Sequence, residues 1–300
     1  MTTTRVLKAL ALSGAVALSV TACGNTNDSK DNGATTTTTT KVDKALAAKV
    51  PASVAADGVI SVGSDASYAP SEFLAADNKT VQGFDVDLFK AVAGTLGLKA
   101  TFANAKFDSL IPAVGSGKYE VGVSSFTVNA DRMKVANMIS YFSAGTQWFT
   151  KKGNPNKVDP ANACGMKIAV QTGTVQLDDL NVRSKACKDA GNPAITIDSY
   201  QGQDQATAAI VSGKDAAGLA DSPVGAYAVQ KTNGQLELLG DIYDSAPYGY
   251  VVPKDQTALA QAISGAVNDL IQDGSYAKIL KKWGVDQGAI TSSAVNPAAG

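Results

Sequence analysis

From about residue 58 onward, short apolar runs of strand length alternate with longer runs whose apolar residues recur at helical spacing. VISVGSD precedes GFDVDLFKAVAGTLG, LKATFAN precedes FDSLIPAVGSG, and YEVGVSS precedes ADRMKVANM. Strand, helix, strand, helix at this rhythm indicates strands lying parallel in a sheet, with helices on its faces. In the first of these helices Val86, Phe89, Val92, Ala93 and Leu96 share one face, and Gly97 stands at its end as a cap.

A second unit of the same kind follows a strand at 146–153, TQWFTKKG, and a connection rich in Pro and Asn. MKIAVQTGT reads as strand and loop, VQLDDLNVRSKACKDAG as helix, PAITIDSY as strand, DQATAAIVSG as helix, AAGLAD as strand and SPVGAYAVQKT as helix. LELLGD and YGYVVPK are two further strands, and a long amphipathic run breaks at Asp273-Gly274. Three hundred residues suit two such lobes better than one small core. Periodicity leaves open whether the last strand and helices return to complete the first lobe. Residues 286–300 are small and polar and are expected to be loose.

Residues 121–132, VGVSSFTVNADR, join a strand end to a helix start, the place where open α/β sheets bind ligands. Val121-Gly122-Val123 suits a buried strand, Asn129 is a good N-cap, and Asp131 in the first turn agrees with the helix dipole. Arg132 in the same turn does not. Its planar fork, beside the hydroxyls of Ser124, Ser125 and Thr127, suits a carboxylate. Pairing with a surface acid is the other reading.

Composition narrows the chemistry. The chain has no His, which excludes Ser-His-Asp and Cys-His engines and a His-based zinc site. A formal net charge of −1 leaves no footprint for nucleic acid. The three cysteines, Cys23, Cys164 and Cys187, have no metal-ligand spacing. Residues 1–22 read as an export signal, with Arg5 and Lys8 before an apolar core too short for a comfortable membrane span. Residues 24–40 are polar and Thr-rich and read as a disordered tether, which extends to residue 56 unless 41–56 forms a weak helix.

Two resemblances sharpen this outline. VTAC at the end of the signal resembles the lipobox of bacterial lipoproteins, which implies that Cys23 carries the acyl chains and holds the exported protein on the outer face of the cell membrane. GFDVDLFKAVAGTL resembles the signature of the solute-binding proteins of polar amino-acid ABC transporters. DASYAP, KFDSLIPAV, SSFTVNADR, VQTGT and ADSPVGAY stand in that family's order, and the likeness covers about 57–285.

The resemblance implies an α/β, two-lobe periplasmic-binding-protein fold of type II, each lobe a mixed, mostly parallel sheet flanked by helices. Lobe one is expected over 57–148 and 248–285, lobe two over 152–245, with hinge crossings near 147–151 and 246–251. It implies a monomer without cofactor that captures a free polar amino acid between the lobes and delivers it to a membrane permease.

Carried over by position, Arg132 and Thr127 resemble the grip on the ligand α-carboxylate, joined by Thr174 at the start of a helix. Asp221 resembles the acid that takes the α-ammonium, with Ser125 assisting. Tyr68 and Phe107 lie where the family stacks rings on the ligand side chain, and Asp65 and Gln171 lie at its far end. Taken alone, Phe107 also reads as core, Asp221 as a helix cap and Asp65 as an Asx-turn residue. Ser71 and Val175 depart from the family pattern, which puts side-chain preference in doubt. Cys164 and Cys187 fit one disulfide in an exported protein, and two separate thiols are the alternative. The same fold also hosts exported dehydratases resembling cyclohexadienyl dehydratase, which gives an enzyme as the rival reading.

Overall fold

The structure, a computed structural model, describes residues 41–298; the export signal, Cys23 and the Thr-rich run lie outside them. In the first half, β1 (Val59–Ser64) lies parallel between β5 (Lys99–Asn104) and β6 (Val121–Thr127). Between β1 and β5 run three short strands, β2 (Ser67–Tyr68), β3 (Glu72–Leu74) and β4 (Val81–Gln82), which form a small antiparallel sheet, and then α3 (Phe84–Thr95). Helix α4 (Phe107–Gly115) precedes β6, and α5 (Ala130–Val135) follows it.

The second half repeats the pattern. There β8 (Lys167–Gln171) lies parallel between β9 (Thr196–Tyr200) and β10 (Ala217–Asp221). Helix α6 (Val175–Asp189) covers one face, and α7 (Gln203–Ser212) and α8 (Ser222–Lys231) the other.

Two long strands join the halves. β7 (Ala136–Lys151) and β11 (Leu236–Pro253) run antiparallel along their whole length, β11 beside β6 and β7 beside β10. LELLGD and YGYVVPK are thus one strand, interrupted by bulges near residues 239–246. The third helix is shorter than its pattern suggests, because Ala136-Asn137-Met138 already belongs to β7. After β11 the chain returns to the first half: α9 (Thr257–Gln272) and α10 (Ser275–Trp283) pack on α3, and Gly274 (φ +79°) makes the break between them.

The larger core lies here, with Phe84, Leu88, Phe89, Ile263 and Val267 fully buried between α3, α9 and the sheet. Each such side chain removes enough apolar surface from water to contribute about 1.5–3 kcal/mol.

Both chain ends correct the sequence reading. The tether does not extend to residue 56: α1 (Lys44–Ala47) and α2 (Ala52–Ala55) are formed, and Val50 and Val54 are buried in the first-half core. Asp43 caps α1, its Oδ1 accepting from the N–H groups of Ala45 and Leu46 at 2.8 Å each. The tail is not loose either. A 3₁₀ turn at Asp286–Gly288 leads to a segment where Ser140 N–H donates to Ala294 O (3.0 Å) and Met138 N–H to Asn296 Oδ1 (2.9 Å). Small polar residues are held here by backbone pairing, which composition does not reveal.

Helix α3 begins at Gly83 (φ +141°), where an added Cβ would lie 2.0 Å from the Ser71 carbonyl oxygen. The first N–H groups of the helix use the same neighbours: Phe84 donates to Pro70 O (3.0 Å) and Asp85 to Ser71 O (3.1 Å). Only glycine permits that approach.

Cys164 and Cys187 form a disulfide that ties the entry of β8 to the last turn of α6, with Cα atoms 5.6 Å apart. A loop closed over a sequence separation of 23 is expected to contribute about 3 kcal/mol in the chain-entropy model. Urea unfolding of the Cys164→Ser/Cys187→Ser variant should show that loss. Two titratable thiols in the unreduced folded protein would remove the bridge.

Candidate ligand-binding site

The carboxyl ends of β1, β6, β8 and β10 carry Asp65, Thr127, Gln171 and Asp221, and these residues or their loops meet side chains from the opposite half. Tyr68 of β2 donates its hydroxyl to Asp221 Oδ2 (2.8 Å) and accepts the Asp221 N–H (3.1 Å). Asp65 Oδ2 accepts from the Phe107 N–H and from Gln171 Nε2, each at 2.9 Å. Arg132 Nη1 donates to Thr127 O (2.9 Å), and Nη2 reaches across to Gly173 O (3.2 Å). Gly173 (φ +79°) also lets its loop pack closely on the start of α4, since a Cβ there would lie 2.9 Å from Asp108 Cβ. The structure therefore brings Asp65, Tyr68, Phe107, Thr127, Arg132, Gln171, Thr174 and Asp221 to one place.

Arg132 rests on an aromatic shelf. Phe107 and Phe126 stack with centroids 5.0 Å apart, and the guanidinium carbon lies 5.5 Å and 5.8 Å from their centroids. This fixes the guanidinium plane and shields one face of it. Phe107 is half-buried and serves the core and the site together. Burial lowers the Arg132 pKa, and the charges of Asp221 and Asp178 oppose this. The guanidinium keeps its charge at any ordinary pH.

Asp221 is buried and has further partners. Gln176 Nε2 donates to its Oδ1 (2.8 Å) and to Thr146 Oγ1 (3.1 Å). Burial raises the Asp221 pKa, while the hydroxyls of Tyr248 and Tyr68, the Gln176 amide and the Arg132 charge hold it down. Tyr248 Oη lies close to this carboxylate without meeting full hydrogen-bond geometry. Burial likewise raises the pKa of Asp65, against hydrogen bonds from Ser67 and Phe107. Thr174 is the N-cap of α6: Oγ1 accepts the Leu177 N–H (3.2 Å) and donates to Gln171 O (2.8 Å). A helix start of this kind presents N–H groups and positive potential to an anion.

Ser125 is placed differently from its expected role. Its N–H and Oγ both donate to Asp85 Oδ2, at 3.1 and 3.2 Å, and not toward Asp221. Gln176 and Tyr248 are polar neighbours of Asp221 that the sequence reading did not single out. Gln176 stands two residues beyond the Thr174 cap, in the first turn of a helix leaving a strand end, and that position was the available signal.

Comparison with known proteins agrees with this architecture. The model of the bacterial extracellular solute-binding proteins, family 3, matches residues 60–286. The chain is 35% identical over 252 residues to the arginine-binding protein ArgT of Corynebacterium glutamicum, covering 84% of this chain and 82% of that one. It is 30% identical to the ABC transporter glutamine-binding protein GlnH of Bacillus subtilis, over 68% of this chain and 72% of its length. Among solved structures, an ancestral arginine-binding protein bound to arginine superposes with a TM-score of 0.68 at 33% identity, covering 75% of this chain and 98% of that one. The ancestral amino acid-binding protein AncCDT-1, a precursor of cyclohexadienyl dehydratase, has a TM-score of 0.68 at 30% identity, covering 77% and 97%. The two halves joined by paired long strands are the two-lobe periplasmic-binding fold, and the chain belongs to family 3 of the bacterial extracellular solute-binding proteins.

Proposed function

We propose that this protein is the substrate-binding component of an ABC importer and that its ligand is a basic amino acid, arginine foremost. The charge balance of the site carries this reading. Arg132 contributes one positive charge, and Asp65 and Asp221 contribute two negative ones, all within one mostly buried cluster. The α-carboxylate and α-ammonium of an amino acid use Arg132 and Asp221 and leave the sum unchanged. A cationic side chain at Asp65 neutralises it, and desolvating charges without partners is costly. Arginine binding by ArgT and by the ancestral protein supports the same choice.

In this reading the two halves are lobes of a clamp, hinged where β7 and β11 cross. Arg132 belongs to one half and Asp221 to the other, so a bound zwitterion adds contacts that only the closed form makes, and that difference drives closure. Export and acylation of Cys23 would hold the clamp at the outer face of the membrane beside its permease.

Calorimetry against arginine, lysine, glutamine and glutamate tests the ligand. Asp65→Asn is expected to weaken arginine by about 30-fold or more, the cost of removing one partner from a buried charge pair, and to weaken glutamine less. Equal losses for both would remove Asp65 from the side-chain end. Both aspartates must be ionised to hold cations and both have raised pKa values, so arginine affinity should fall on acidification before ordinary carboxylates titrate. The enzyme reading lacks a general acid: Asp65 and Asp221 are taken up by ligand charges, and no glutamate is among the residues meeting at the site. Turnover of a prephenate-like substrate would revive it.

A further inference from the structure

Behind Ser124 and Ser125 lie two fully buried carboxyl groups, Glu72 on β3 and Asp85 on α3. One oxygen of each is engaged. Ser124 Oγ donates to Glu72 Oε1 (3.0 Å). Asp85 Oδ2 accepts from the Ser125 N–H, from Ser125 Oγ and from Tyr141 Oη. The other oxygens, Glu72 Oε2 and Asp85 Oδ1, are buried with no hydrogen-bond partner among the described residues. An ionised carboxylate only accepts, whereas a protonated one also donates, so a proton on one of these two carboxyls removes a buried charge and supplies a donor where none is present.

The surroundings supply no counter-charge. The titratable groups facing the pair are Asp65 in the β1–β2 loop, Tyr68 on β2, Tyr141 on β7, Tyr250 on β11 and Tyr276 on α10. All are acids or phenols, and neither carboxyl has an ion pair among the described residues. Two unpaired buried negative charges are far costlier than one shared by two carboxyls.

The network leads to the ligand site. The Ser124 hydroxyl that donates to Glu72 also accepts the Asp65 N–H (3.0 Å). Ser125, a non-glycine residue at φ +49°, is held in that left-handed conformation by its two bonds to Asp85.

We infer that Glu72 and Asp85 form a proton-binding site whose proton positions Asp65 and the Ser124–Ser125 wall for the amino acid. The part concerning Asp65 rests on the function proposed above; the proton site itself does not. Burial pushes Asp85 up to about 6 and Glu72 well above the usual carboxylate range. Both folded-state values exceed those of the unfolded chain. The stability they contribute is therefore complete below about pH 4, and declines as pH rises through about 6 and beyond.

Infrared spectra of the full chain at pH 7 test the site directly. A carbonyl stretch from a protonated carboxyl should be present in the wild type and in Asp221→Asn, absent in Glu72→Gln, and shifted in frequency in Asp85→Asn, where the proton on Glu72 faces an amide instead of a carboxylate. In Glu72→Gln the amide donates in place of the proton, so arginine affinity should stay within about threefold at pH 7, and its decline toward pH 9 should flatten. Asp85→Ala removes the acceptor for Ser125 and Tyr141, and affinity should fall by about tenfold or more. No protonated-carboxyl band, or a band unchanged in both isosteric variants, overturns the proton site. If Asp85→Ala binds like the wild type, the positioning role falls. A wild type that ignores arginine refutes the ligand proposal, while the band still decides the proton.

Discussion

Arg132→Ala is expected to weaken arginine binding by about three orders of magnitude, or about 4 kcal/mol, when measured by calorimetry. The loss has two parts. The ligand carboxylate forfeits a planar two-pronged donor, and it is left in a mostly desolvated place without a counter-charge. Asp221 also loses the positive charge that helps hold its pKa down, so a smaller fraction stays ionised for the α-ammonium. Arg132→Lys should recover only part of the loss, because a compact ammonium cannot hold Thr127 O and Gly173 O while gripping two carboxylate oxygens. The fold should tolerate either change, since both of those bonds go to loop or strand-end carbonyls. Affinity within tenfold of the wild type would place the carboxylate elsewhere.

Gly83→Ala is expected to cost about 4 kcal/mol of stability, read as a lower urea midpoint at unchanged slope. The φ of +141° is open essentially to glycine alone. The added Cβ would also meet only backbone: Ser71 O at 2.0 Å, Ser71 C at 2.5 Å and Pro70 O at 2.8 Å. A flexible side chain can swing away from such a contact, but these atoms are held by the first N–H groups of α3. Relief requires the Pro70–Ser71 strand entry to part from the helix, carrying Glu72 away from Asp85. Binding should therefore suffer with stability. A variant as stable as the wild type would show that the turn is free to rearrange.

The sequence is informative where local physics and site chemistry disagree. Arg132 stands out because a cation in the first helical turn has no local reason to be there. The alternating strands and helices follow from periodicity alone, and so does the break at Asp273-Gly274. Other features are hidden for physical reasons. Asp85 looks like an ordinary acid at a helix start, suited to the dipole, and nothing local reports that Tyr141 and Ser125 surround it. The Gly240 and Asp244 positions, both at positive φ, look like turns between two strands, yet they are bulges that β7 bridges by pairing on either side. The chain ends mislead for a third reason: Leu46, Ser293 and Asn296 find partners far away in sequence, which neither hydropathy nor low complexity encodes.

Those two ends also bear on how the protein should be handled. Leu46 sits against Gly265 on α9, and Ser293 hydrogen-bonds Ser264 one residue away. Trimming an expression fragment to the limits of the family match, 60–286, would strip both coverings from a single helix and bare apolar surface on it. A crystallographer or protein engineer should therefore keep 41–298 intact.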